Sequence, residues 1–134
     1  MQVFVYGTLT DRARVERVLE IGRFAFDGEA TLEGLHRIEG RYPTLAPGGS
    51  AEGRLLCVEC AALERLDRYE GVESGLYVRV SVPRANDGRP VQVYVGRPER
   101  LGVGDRVDWP GEGAFRDRVR TVLERTGAVV RPHE

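Results

Sequence analysis

Two runs of strong alternation, LYVRVSVP and PVQVYVGRP, lie either side of RANDGR, and the Asp87-Gly88 pair between them marks a β-hairpin. An antiparallel pair in the second half of the chain limits what can be built around it. A doubly wound parallel sheet needs strands and helices in strict β-α-β alternation, and this chain does not supply that order. Strands predominate instead. VFVY reads as a short strand near the start, and FAFDGEATLEGLHRIEG, punctuated by glycines and partly alternating, predicts a bent or bulged strand. RYPTLAPGGS reads as a loop by its Pro and Gly content, and AEGRLLCVE as a further strand. Three helices are predicted. DRARVERVLEIG carries Val15, Val18 and Leu19 on one face with Gly22 as its stop, and CAALERLDRYEG is closed by Gly71. GAFRDRVRTVLERTG forms a terminal helix with Phe115, Val119, Val122 and Leu123 on one face and Gly127 at its end. The expected architecture is α+β: a mixed, strongly curved sheet or small β-barrel with peripheral helices, one domain over residues 1–134.

Charge narrows the function classes. A formal net charge of −1 gives no reason to expect nucleic acid or an anionic membrane as a partner. All 20 basic residues are arginine, which excludes lysine Schiff-base and lysine-nucleophile chemistry. No apolar run approaches the roughly 18 residues of a membrane span, and the start lacks a secretory pattern. Cys57 and Cys60 are too few for a disulfide framework, so a cytoplasmic location is expected. Their Cys-Val-Glu-Cys spacing ahead of a helix suits a redox pair only in a βαβ setting, which is lacking, and a zinc site would need two further ligands. His36 and His133 stand far apart in sequence, so no metal site is expected. Trp109-Pro110 reads as a packing anchor or a piece of a pocket rim.

Two features point to chemistry. In VYGTL the first strand breaks at Gly7-Thr8 just before a helix. The break is either a plain connector, with Thr8 or Thr10 capping the helix, or a loop whose backbone N–H groups hold an anion or oxyanion. In AALERLDRYEG, Glu70 lies seven residues from Leu63 and four from Leu66, which puts a carboxylate on the apolar face of the helix. Burial there, together with the negative end of the helix dipole, raises its pKa toward the range of a general acid/base. The competing readings are a frayed helix end turned to solvent, or a salt bridge to Arg79 or Arg68.

VFVYGTL, RYPTL and LDRYEG followed by GLYVRVSV, in this order, resemble the gamma-glutamylcyclotransferase-like superfamily, and within it the AIG2-like branch that includes gamma-glutamylamine cyclotransferases. The resemblance implies a mixed barrel with a pocket at its mouth. It implies that Tyr6, Gly7, Thr8 and Leu9 bind substrate, that Glu70 is the catalytic acid/base and that Tyr77 lines the pocket. Tyr42 and Pro43 would shape its wall, and Gly40 is a weaker match. Read from strand geometry alone, Arg79, two residues after Tyr77 and on the same face, either pairs with Glu70 or another carboxylate or is structural. The implied reaction is intramolecular: the α-amine of a gamma-glutamyl group attacks its own γ-carbonyl, releasing 5-oxoproline and a free amine without metal, cofactor or protein nucleophile. Whether the loop amides hold the substrate's α-carboxylate or the oxyanion stays open. So do two rival functions on the same fold, a non-catalytic module that binds small carboxylates and a hydrolase of gamma-glutamyl amides. The amine side of the substrate and the oligomeric state are not encoded in any motif.

Overall fold

The computed structural model describes residues 1–20 and 23–133, so the predicted helix stop at Gly22 lies outside the described residues. Six strands form one sheet: β1 (Gln2–Val5), β2 (Phe24–Ile38), β3 (Thr44–Val58), β4 (Tyr77–Pro83), β5 (Pro90–Gly96) and β6 (Val129–Pro132). Their spatial order is β4-β5-β1-β3-β2-β6; β1 and β5 run parallel and every other neighbouring pair is antiparallel. The sheet curls into a half-barrel. Its far edges approach at one corner, where Arg84 bridges Val130 and the Ala85 N–H donates to the Val130 carbonyl at 2.8 Å.

The curl has local causes. Between Phe26 and Glu29 β2 carries one residue more than β3, and between Glu33 and Leu35 β3 carries one more than β2. These two bulges fall at Asp27-Gly28 in β2 and at Gly48-Gly49 in β3, opposite Gly34, and each sharpens the local twist. The second corrects the sequence reading, since Thr44–Ser50 is strand and not loop. Thr44, Leu45 and Ala46 are buried and pair with the end of β2, and that burial outweighs the turn-like composition around them. Pro47 is tolerated because β1 pairs only with Arg54–Cys57 of β3, which leaves one side of the Pro47 stretch without a ladder partner in β1.

Three helices cover the sheet. Helix α1 (Arg12–Val18) buries Val15 and is followed by buried Leu19; α2 (Cys60–Tyr69) buries Leu63 and Leu66. Helix α3 (Phe115–Thr126) buries Phe115, Val119, Val122 and Leu123. Each fully buried aliphatic side chain contributes about 1.5–3 kcal/mol, which is what holds these short helices in place. Asp11, not Thr8 or Thr10, caps α1: its Oδ1 accepts the Ala13 N–H at 3.1 Å, while the Thr10 hydroxyl donates to the Gly7 carbonyl at 2.7 Å. Helix α3 is not terminal either. Gly127 ends it and the chain returns as β6 along β2, an edge strand of four residues too short to register as a periodic pattern. Trp109 is buried edge-on against Phe115, so it serves as a packing anchor. Among the described residues no helix is long and apolar enough to cross a membrane.

Candidate functional site

Beside the end of β1 lies a cavity of about 370 Å³, within the ordinary range for a small-molecule site. Its buried lining comes from Phe4, Val5, Tyr6, Leu9, Tyr77 and Tyr94. Period-two geometry explains the strand contribution. Tyr94 and Gln92 share one face of β5 while Val91, Val93 and Val95 share the other. Toward solvent the lining continues through Gly7, Thr8, Arg14, Tyr42, Pro43, Tyr69, Glu70 and Leu76.

Tyr6, Gly7, Thr8, Leu9, Tyr42, Pro43, Glu70 and Tyr77 therefore line one cavity, although they come from three separate parts of the chain. Arg79 does not reach it. Its Nε donates to Asp67 Oδ1 at 2.9 Å and its Nη1 to Gln92 Oε1 at 2.9 Å. Arg79 does share a strand face with Tyr77, but Asp67, one turn before Glu70, captures the guanidinium. Arg14, Tyr69, Leu76 and Tyr94 line the cavity without having been singled out. Tyr69 was legible as the neighbour of Glu70, whereas Arg14 looked like any residue of a solvated helix face.

The loop after β1 supplies donors. A Cβ placed on Gly7 would sit 3.7 Å from Pro43 Cγ, an ordinary contact, so no close protein contact demands glycine here. The chain then makes a 3-10 turn over Thr8–Thr10. Among the described residues, no backbone acceptor takes the N–H of Gly7, Thr8 or Leu9. The Thr8 hydroxyl lies 2.7 Å from that of Tyr69, tying the loop to the end of α2.

Glu70 is held by the way α2 ends. The Gly71 N–H donates to the Arg68 carbonyl at 3.2 Å and the Val72 N–H to the Asp67 carbonyl at 2.9 Å. This paired closure requires the left-handed conformation that Gly71 adopts, at φ +71°. Glu70 is thereby fixed on the Leu63–Leu66 face, half-buried, with its side chain on the cavity. Nothing among the described residues donates to its carboxylate, and neither Arg79 nor Arg68 pairs with it. The nearby tyrosine hydroxyls are committed elsewhere. Tyr6 donates to the Tyr94 carbonyl at 2.6 Å, Tyr77 to the Pro43 carbonyl at 2.5 Å, and Tyr94 to Asp67 Oδ1 at 2.6 Å. A carboxyl withdrawn from water without a donor favours its neutral form, and burial pushes Glu70 up to about 7. Burial, and next to it the charge of Glu70, raises Tyr77 in turn, so that hydroxyl stays protonated.

This shift has a consequence for stability. The neutral carboxyl is the form the fold accepts, so the contribution of Glu70 is fully present below its unfolded pKa near 4.5 and is lost as pH rises through about 7. Relative to Glu70→Gln, the wild type should lose stability between these values, by up to about 3 kcal/mol. Denaturant midpoints of the two proteins across pH 4 to 8 measure it. A constant difference would mean that Glu70 is an ordinary solvated carboxylate.

Comparison with known proteins adds the following. A family model described as gamma-glutamyl cyclotransferase, AIG2-like, matches residues 3–110. A solved gamma-glutamyl cyclotransferase shares 16% identity, with 92% of this chain and 98% of that one aligned and a TM-score of 0.62. YkqA of Bacillus subtilis is 21% identical at a TM-score of 0.64, over 96% of this chain but only 49% of YkqA. A protein of Arabidopsis thaliana with a known solution structure is 29% identical, over 92% of this chain and 83% of that one, at a TM-score of 0.56. The first two likenesses concern the fold alone. No curated protein sequence matches the chain.

Proposed function

Since the chain belongs to the gamma-glutamyl cyclotransferase, AIG2-like family, we propose that it is a gamma-glutamyl cyclotransferase releasing 5-oxoproline and a free amine from a small gamma-glutamyl amine or peptide. The observation that carries this reading is the Glu70 carboxyl: it faces a cavity without a donor, and burial pushes its pKa up to about 7. A structural carboxylate would be paired, and a group poised near 7 is suited to take a proton and give it back.

In this reading the substrate's gamma-glutamyl chain curls so that its α-amine stands against its own γ-carbonyl. Glu70, ionised, takes a proton from the amine as the new C–N bond closes the five-membered ring. The developing oxyanion and the α-carboxylate are the two candidates for the free N–H groups of Gly7, Thr8 and Leu9. Glu70 then returns the proton to the departing nitrogen, the old C–N bond breaks, and 5-oxoproline and the amine leave. Atoms balance without water or cofactor. Cyclisation is favoured over hydrolysis because the nucleophile is part of the substrate and is held against the carbonyl at high effective concentration.

The test is product analysis. Incubation with a panel of gamma-glutamyl amides and peptides should yield 5-oxoproline by mass spectrometry. Glutamate in its place would identify a hydrolase, and binding without any product would identify a carboxylate-binding module. Because Glu70 must be ionised to act as base, kcat/KM should rise with pH through about 7.

A further inference from the structure

The mouth of the cavity differs from its floor. Its exposed lining residues are Thr8, Arg14 and Tyr42, with Tyr69 half-buried beside them. Among the described residues Arg14 is the one cation in the lining, and Glu70 the one carboxylate. Many arginines of this protein have partners: Arg12 and Arg54 lie over the Phe26 ring, Arg79 pairs with Asp67, and Arg84 with Asp87. Among the described residues the Arg14 guanidinium has no ion pair, hydrogen bond or aromatic ring. It stands on α1, beyond the loop whose amides are also free.

We propose that Arg14 forms a leaving-group subsite that selects gamma-glutamyl compounds whose departing amine carries a carboxylate, over those with neutral or cationic amines. This rests on the cyclotransferase reading and refines its substrate class. In this assignment the amides of Gly7, Thr8 and Leu9 serve both oxygen anions of the glutamyl half, the α-carboxylate and the developing oxyanion. A guanidinium at the mouth therefore answers a further anion, and its planar fork matches a carboxylate in two-point contact. A cationic amine would find no lining carboxylate at the mouth and would meet Arg14 with like charge. Tyr42 and Tyr69 offer ring surface for the body of the amine between the two anion contacts.

Two probes separate the possibilities, gamma-glutamylalanine and its C-terminal carboxamide, which differ only in the second carboxylate. Calorimetric binding to Glu70→Gln, where turnover is slowed at least about a hundredfold, should favour the acid at least about tenfold. Turnover by the wild type should show a similar preference in kcat/KM. Adding Arg14→Gln, an exposed change that α1 accommodates, should reduce both preferences to below about twofold. If Arg14→Gln weakens both probes equally, Arg14 serves the glutamyl half or neither, and the inference is overturned. Release of 5-oxoproline from both probes without preference also overturns it, while leaving the cyclotransferase reading intact. Arg14-dependent preference for the acid with no 5-oxoproline from either probe would have the opposite meaning: the carboxylate contact stands and the reaction does not.

Discussion

Replacing Glu70 with glutamine is expected to leave the protein folded and to lower kcat/KM for 5-oxoproline release by at least about a hundredfold. Glutamine keeps the length and shape of the side chain, and its amide adds a donor where the carboxylate had none. The packing of Leu63 and Leu66 and the closure at Gly71 do not depend on the charge of residue 70. What disappears is the proton carrier. The loss should appear mainly in kcat, because in the proposed reading the loop amides and the tyrosine walls bind the glutamyl group, and the substitution does not touch them. A second signature is the pH profile. The rise of wild-type kcat/KM through about 7 should vanish from the residual activity of the variant. Turnover within a few-fold of wild type at neutral pH would remove Glu70 from the chemistry and leave the proton transfers to another group, while the cyclotransferase activity itself would stand.

The sequence carried the position of Glu70 because helical periodicity is a strong signal: Leu63, Leu66 and residue 70 share a face whatever the rest of the fold does. The hairpin over Asp87-Gly88 and the bulged strand through Gly28 and Gly34 were legible for similar reasons, since turn and bulge chemistry is local. What was not legible depended on partners distant in sequence. Thr44–Ser50 has the composition of a loop and becomes a strand only because β2 is there to pair with it. The commitment of Arg79 to Asp67 follows from the approach of β4 to α2, which no spacing within either segment encodes. Arg14 belongs to the same class. On a helical wheel it is one more polar residue, and only the fold, by setting α1 beside the end of β1, turns it toward a cavity.

Gly53→Ala is expected to destabilise the protein by about 3 kcal/mol, at the upper end of the usual cost of overpacking a core. Gly53 pairs with Ala30 across β3 and β2 and lies next to Arg54, the partner of Val5 in β1. A Cβ there would fall 2.3 Å from the Val5 carbonyl oxygen and 2.7 Å from Phe4 Cζ. The ring could shift, but the carbonyl is backbone and moves only if β1 moves. Gly104→Ala is the matched control, because its φ is not positive and its added Cβ would meet nothing nearer than Glu99 Cα at 3.6 Å. On thermal unfolding Gly53→Ala should therefore lower the midpoint by about 10 °C, with Gly104→Ala shifting it only slightly. Equal shifts would mean that β1 and β3 do not approach as closely as these contacts require. The same displacement has a functional reach: Val5 and Phe4 line the cavity, and Tyr6 and Gly7 follow directly. At temperatures where Gly53→Ala remains folded, its KM should rise along with the loss of stability, because moving β1 moves the loop amides relative to Glu70 on α2. Stability falling with KM unchanged would show that the loop is held by its tie from Thr8 to Tyr69, and not by the strand that leads into it.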